Sequence, residues 1–200
     1  MKDSNPTLDQ LFTLKDKLAV VIGGGGYLCS SMAEGLAMAG ASIVIVDLRI
    51  EKASKIAKKI KRNFGVNTYH LSADVTDENS LKLASKKILE RYESIDILIN
   101  GAGINSPKPF LEISLEEWHS VMNSQITGTM LGCKIFAPSM INNKKGSIIN
   151  ISSASAGPPL SKAFAYSVAK AGIKNLTMNL AREWADYNLR VNAIRPGFFP

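Results

Sequence analysis

The stretch LAVVIGGGGYLCSSMAEGLAMAGASIVIVD, residues 18–47, decides the fold. Its first five residues, 18–22, form an unbroken apolar run, the pattern of a parallel strand buried on both faces. Gly23, Gly24, Gly25 and Gly26 end that run. Leu28, Met32, Leu36 and Ala39 then mark one face of a helix, which Gly40 stops. SIVIVD (42–47) is a second buried strand. Strand, glycine turn, helix, strand is a βαβ unit, which implies a right-handed crossover and a parallel sheet covered on both faces.

The same alternation continues to the end of the chain. The spacing predicts a charged amphipathic helix over 50–63, a more polar strand over 67–74 and a helix over 78–92. A fourth strand, IDILIN (95–100), ends in Gly101-Ala102-Gly103. A long helix follows from Leu115 to Ile141, with Pro138 as the place for a bend. GSIINIS (146–152), a helix over 164–187 and LRVNAI (189–194) complete the pattern before Pro196-Gly197. The expected fold class is α/β: a Rossmann-like, doubly wound parallel sheet in three α/β/α layers. It forms a single domain over 14–200, preceded by a short extension over 1–13. No internal repeat or low-complexity tract interrupts it.

Composition narrows the function classes. The chain has 200 residues, of which 46% are hydrophobic and 20% charged, enough apolar material for one ordinary globular core. No apolar run approaches the roughly 20 residues needed to span a bilayer, so no membrane partner is expected. The polar start MKDSNPTLDQ lacks the apolar core of a secretory signal, and two cysteines, Cys29 and Cys133, make no disulfide framework. A cytoplasmic setting is the expectation. The net charge of +7 comes largely from residues 52–62 and from Lys82, Lys86, Lys87 and Arg91. Apolar residues recur among these at helical spacing (Ile56, Ile60; Leu81, Ile88), so the lysines read as solvated helix faces and not as a nucleic-acid surface. His70 and His119 have no metal-ligand spacing, and no metal is expected.

In an open parallel sheet, function belongs at the carboxyl ends of the strands. The distinctive residues sit there: the glycine run, Asp47, Asp74, Asn100 to Gly103, and Ser152-Ser153. Glycines before a helix permit close backbone approach, and the helix start offers free N–H groups to a pyrophosphate. The run does not satisfy G-x-G-x-x-G, because Leu28 falls at the last glycine. Asp47 ends the second strand, where a carboxylate can accept from an adenosine ribose and repel a 2′-phosphate. That favours NAD, with NADP as the alternative because Arg49 is close by. Tyr166 and Lys170 are four apart on a helix and share a face. A free tyrosine titrates at about 10; an ammonium beside it stabilises the phenolate, so the pair can act as general acid or base on a carbonyl or alcohol. Ser153, 13 residues before Tyr166, can donate to the oxygen on which charge develops, with Ser152 and Ser155 as local competitors.

From about Leu14 to Pro200 the chain resembles the short-chain dehydrogenases/reductases, through VVIGGGGYLCSSMA, the Asp47 strand end, ADVTD, ILINGAG, GSIINISS, AYSVAKAG and LRVNAIRPG. The resemblance implies catalytic Ser153, Tyr166 and Lys170. It implies a cofactor held by Gly23, Gly25, Gly26, Tyr27, Leu28 and Asp47, with Asp74 and Val75 at the adenine, and Tyr166 and Lys170 at the nicotinamide end, Lys170 on its ribose. Asn100, Ala102 and Gly103 would support the site, and Pro196 and Gly197 would lie near the nicotinamide. It further implies a homodimer or homotetramer packed through the helices beginning near 115 and 164. Three departures stand out. The family's T-G-x-x-x-G-x-G reads Ile22 to Cys29 here, with Tyr27 and Cys29 at two glycine positions. Gln125 takes the place of an asparagine that usually completes a catalytic tetrad. Members ordinarily continue with a substrate-covering segment and a last strand, so a C-terminally truncated chain is expected. GGGGYL, GPPLSKAFAYSVAKAG and PGFFP are similar to a bacterial branch assigned to sugar acids of the mannonate or gluconate type. The reading is reversible hydride transfer between NAD(H) and a secondary alcohol or ketone, on a sugar acid or polyol. The competing one is a cofactor-binding or scaffold protein without catalysis.

Overall fold

The computed structural model describes residue 7 and residues 11–198. Most of the expected 1–13 extension lies outside the described residues. Six strands form one parallel sheet: β1 (Leu18–Ile22), β2 (Ser42–Asp47), β3 (Thr68–Ser72), β4 (Ile97–Asn100), β5 (Gly146–Ile151) and β6 (Leu189–Ile194). Their spatial order is β3-β2-β1-β4-β5-β6. The chain order reverses between β1 and β4, the switch point at which such sheets open a crevice.

Side chains alternate across the strands and feed two cores. Ala19, Val21, Ile43, Ile45 and Ile99 face helices α1 (Tyr27–Met38) and α2 (Ile50–Phe64), meeting Ala33, Ala37, Ala53, Ala57 and Ile60. Val20, Ile22, Val44, Leu98 and Ile148 face the other side, against α3 (Glu78–Leu89) and α5 (Gly128–Asn142). Fully buried Ile43, Ile45, Leu98 and Ile99 each contribute about 1.5–3 kcal/mol by leaving water. Burial on both faces explains why these strands read as continuous apolar runs. The lysines of α2 are exposed around its buried alanines, as a solvated face requires.

The long helix expected over 115–141 is divided. It runs as α4 (Leu115–Met122), a π turn (Asn123–Thr127) and α5 (Gly128–Asn142). The irregularity precedes Pro138, which sits inside α5. Both flanking segments are helical, so their composition reads as one long helix, and π turns of this kind recur at functional sites. The helix expected over 164–187 is α6 (Phe164–Glu183), followed by a 3-10 turn at Ala185–Tyr187 and a left-handed Asn188.

Candidate active site

A cleft of about 620 Å³ opens over the switch point. Gly23, Gly26, Asp47, Asp74, Val75, Ala102 and Gly103 line it, together with Arg49 and Ser124. Its floor is where the β1 and β4 turns touch. Gly23 has φ +76°, and a Cβ there would lie 2.6 Å from the Ala102 nitrogen, so the two turns approach as only glycine allows. Helix α1 starts at this floor with no side-chain cap on Gly26 and no acidic residue in its first turn. The first-turn N–H groups of Tyr27 and Leu28 therefore have no intrahelical acceptor, an arrangement that suits an anion.

Asp47 is buried beside them. Its Oδ2 accepts from the Gly25 N–H at 3.0 Å and its Oδ1 from the Arg49 N–H at 3.0 Å. The carboxylate thus fixes the glycine loop while remaining on the cleft wall. The Arg49 side chain stays largely in solvent, its Nε 3.7 Å from the same carboxylate. Asp74 receives the Thr76 N–H and hydroxyl at 2.8 and 2.7 Å, which orders the turn after β3. These residues fit a dinucleotide: free helical N–H groups for phosphate, a carboxylate for a ribose, and a glycine floor that a Cβ would fill.

The two substitutions in the glycine motif leave the cleft open. The Tyr27 side chain is 79% exposed and does not line it. Cys29 is buried, and its sulfur occupies the space that a Cβ on Gly101 would need. Burial pushes the Cys29 thiol up to about 11, so it stays neutral.

Ser153, Tyr166 and Lys170 do not line this cleft. They gather at the carboxyl end of β5, one strand over from the β4 turn. Lys170 is 4% exposed, and its Nζ donates to the Ile151 carbonyl at 2.6 Å. That Nζ lies 5.3 Å from the centre of the Tyr166 ring. Burial lowers the lysine from the ordinary 10.5 to about 8. The Ser152 hydroxyl donates to the Lys170 carbonyl at 2.7 Å, tying α6 to the strand end. Ser152 is therefore spent on structure. Ser153 is buried, with its Oγ accepting from Ser155. Pro196 joins the group by accepting the Ala154 N–H at 2.9 Å, whereas Gly197 has open space beside it.

Gln125 lies on the π turn, 3% exposed. Its Nε2 donates to the Ile104 carbonyl at 2.8 Å, while Ser124 Oγ accepts the Ile104 N–H at 3.2 Å. Consecutive side chains of the π turn thus hold both polar groups of one residue in the β4 loop. A Cβ on Gly103 would overlap the Gln125 amide. The buried Gln125 Oε1 has no hydrogen-bond partner among the described residues.

Asn100 is not in the cleft but beneath it, as a member of a buried chain. Its Nδ2 donates to Asn150 Oδ1 at 2.9 Å, and Asn150 Nδ2 donates to Thr177 Oγ1 at 3.0 Å. Thr177 in turn donates to the Ile173 carbonyl at 2.7 Å. This chain links β4, β5 and α6, the helix that carries Tyr166 and Lys170. Sequence reasoning missed Ser124, Asn150 and Thr177; the signal for Asn150 was an amide interrupting the apolar run of β5. No cluster of metal-ligating residues occurs among the described residues, and none of their helices is long and apolar enough to cross a membrane.

Residues 17–200 match the family model described as short chain dehydrogenase. The chain is 38% identical to the uncharacterized oxidoreductase UxuB of Bacillus subtilis strain 168, over 93% of this chain and 72% of that one. A gluconate 5-dehydrogenase from Burkholderia cenocepacia J2315, solved with NADP and tartrate, superposes with a TM-score of 0.89 at 32% identity, covering 94% of this chain and 74% of the other. An NAD+-bound xylitol dehydrogenase superposes with a TM-score of 0.90 at 29% identity, covering 93% and 72%.

Proposed function

Because the chain belongs to the short-chain dehydrogenase family, an oxidoreductase family whose solved neighbours hold NAD+ or NADP, we propose that it transfers a hydride reversibly between NAD(H) and a secondary alcohol or ketone. The carbon substrate in this reading is a sugar acid or polyol. The observation that carries the proposal is the gathering of Ser153, Tyr166 and Lys170 one strand from a glycine-floored cleft.

Gly23, Gly25 and Gly26, with the first-turn N–H groups of Tyr27 and Leu28, would hold the pyrophosphate. Asp47 would take the adenosine ribose, and Asp74 and Val75 the adenine. Ala102 and Gly103 would shape the wall below the nicotinamide, with Asn100 supporting that turn from beneath and Pro196 and Gly197 opposite. The nicotinamide, when bound, supplies or accepts the hydride. The Tyr166 phenol gives its proton to the carbonyl oxygen in reduction and takes the hydroxyl proton in oxidation. The Lys170 ammonium stabilises the negative charge left on that phenolic oxygen and offers its remaining protons to the nicotinamide ribose. Ser153 donates to the same substrate oxygen. Gln125 acts as a positioning residue, holding the Ile104 peptide that borders the nicotinamide side.

Asp47 supports NAD over NADP, because a 2′-phosphate would meet its carboxylate. Likeness to a gluconate 5-dehydrogenase and a xylitol dehydrogenase supports the substrate class. The 14–200 span reads as one functional unit, and the exposed Leu111, Leu115 and Val168 on and before α4 and on α6 support a homodimer or homotetramer.

The test is to titrate the purified chain with NADH and NADPH by fluorescence, then assay both against a panel of sugar acids and polyols. Tighter binding of NADH, and turnover of at least one panel member, are expected. Binding of neither nucleotide overturns the proposal. Tight NADH binding with no turnover across the panel replaces it with a cofactor-binding protein without catalysis, the reading that the Tyr27, Cys29 and Gln125 substitutions would then support.

A further inference from the structure

Ser155 occupies a position that the reaction above leaves without a role. It is 4% exposed in the 3-10 turn Ala154–Ala156, two residues after Ser153. Its N–H lies 3.2 Å from Ser153 Oγ, and its own Oγ lies 3.1 Å from the same atom. Those are the only hydrogen bonds of the Ser155 side chain and N–H among the described residues.

A serine hydroxyl has one proton to donate and two lone pairs to accept with. The Ser155 N–H can only donate, so it takes one lone pair of Ser153 Oγ. Of the two serines Ser155 is the deeper, 4% exposed against 9% for Ser153, so the cost of a buried O–H without an acceptor falls first on its hydroxyl. Its available acceptor is Ser153 Oγ, which takes the second lone pair. Ser153 is then saturated as an acceptor, and its hydroxyl has only a proton to offer.

We propose that Ser155 is a positioning residue that fixes Ser153 as a hydrogen-bond donor toward the substrate oxygen. Without Ser155's hydroxyl, the Ser153 hydroxyl regains a free lone pair and rotates among several orientations. With it, the donor is aligned before substrate arrives, and no rearrangement is needed as charge develops on the oxygen. The geometry of the turn does not depend on this hydroxyl. Arg195 donates to the Ser153 and Ala154 carbonyls at 3.2 Å each, and the Ala154 N–H donates to the Pro196 carbonyl at 2.9 Å. Removing the hydroxyl therefore perturbs the proton and leaves the backbone in place.

This inference rests on the dehydrogenase reading, and its test separates the two. Ser153→Ala, Ser155→Ala, Ser155→Thr and the double variant Ser153→Ala/Ser155→Ala are assayed with whichever sugar acid or polyol the wild-type chain oxidises. Ser153→Ala lowers kcat roughly 10²-fold or more. Ser155→Ala lowers kcat about tenfold, the scale of one hydrogen bond, without changing KM for the cofactor. Ser155→Thr, which restores a hydroxyl, recovers most of that loss. In the Ser153→Ala background, Ser155→Ala costs nothing further, because its route of action is gone. Full kcat in Ser155→Ala, or an undiminished loss in the double variant, overturns the positioning role. No effect of Ser153→Ala overturns the dehydrogenase assignment instead. A readout without substrate comes from neutron diffraction of the deuterated chain. The Ser155 deuteron is expected on the line between the two oxygens and the Ser153 deuteron off it; the reverse placement contradicts the inference.

Discussion

Lys170 shows how one residue's surroundings set both chemistry and stability. Its ammonium is enclosed at the end of β5 and meets the Ile151 carbonyl, without a carboxylate among its hydrogen-bond partners in the described residues. Burial lowers it from 10.5 to about 8. At neutral pH it remains charged, as its place beside Tyr166 requires. Between about pH 8 and 10.5 the unfolded chain holds this proton and the folded chain does not, so the free energy of unfolding rises with pH across that window. Cys29 acts in the opposite sense, because its folded thiol keeps a proton up to about 11 that the unfolded thiol loses near 9. Comparing wild type with Lys170→Met isolates the lysine. The wild-type chain gains stability relative to the variant between pH 8 and 10, measured by urea denaturation, and a constant difference contradicts the assignment. The pairing of Tyr166 with Lys170 was legible from a spacing of four, but the enclosure of the lysine was not, because Ile151, whose carbonyl it meets, lies on a strand 19 residues earlier.

At the scale of elements, the strands and their order carry the site, and one buried chain joins them. Asn100, Asn150 and Thr177 tie the end of β4 through β5 to α6. Asn150→Ala leaves the Asn100 amide without its closest partner in a dry interior. The expected cost is about 1–3 kcal/mol, or roughly 2–12 °C in Tm for a chain of this size. Calorimetry reads this directly, and a loss below about 2 °C would mean that the chain is not structural glue. The six strands were legible because parallel strands buried on both faces read as apolar runs. The π turn at Asn123–Thr127 was not, because the segments on either side of it each read as helix and residues 123–127 themselves hold no glycine or proline to mark it. Its purpose appears only when Ser124 and Gln125 are seen to hold the two polar groups of Ile104, which lies about 20 residues earlier in the chain.

The whole molecule presents two surfaces of different character. The basic excess lies on solvated helix faces, whereas Leu111, Leu115 and Val168 leave apolar surface exposed near and on α4 and α6. If those helices meet a second copy, sedimentation of the wild-type chain at micromolar concentration gives a dimer or tetramer, and Val168→Arg shifts it toward monomer. A wild-type monomer contradicts that assembly. The glycine turn, Asp47, Ser153 and the Tyr166–Lys170 pair could be placed from the sequence because parallel topology brings every strand's carboxyl end to one edge. The exchange of Cys29 against Gly101 could not, since it is a contact between turns of non-adjacent segments. In the proposed reaction Tyr166 moves the proton at the nicotinamide end of a cofactor whose remainder lies in the glycine-floored cleft. Tyr166→Phe tests this role most directly, with NADH affinity and turnover measured on the same preparation. Unchanged NADH binding and a fall in turnover of at least about 10²-fold are expected. Turnover persisting at the wild-type rate would contradict that role.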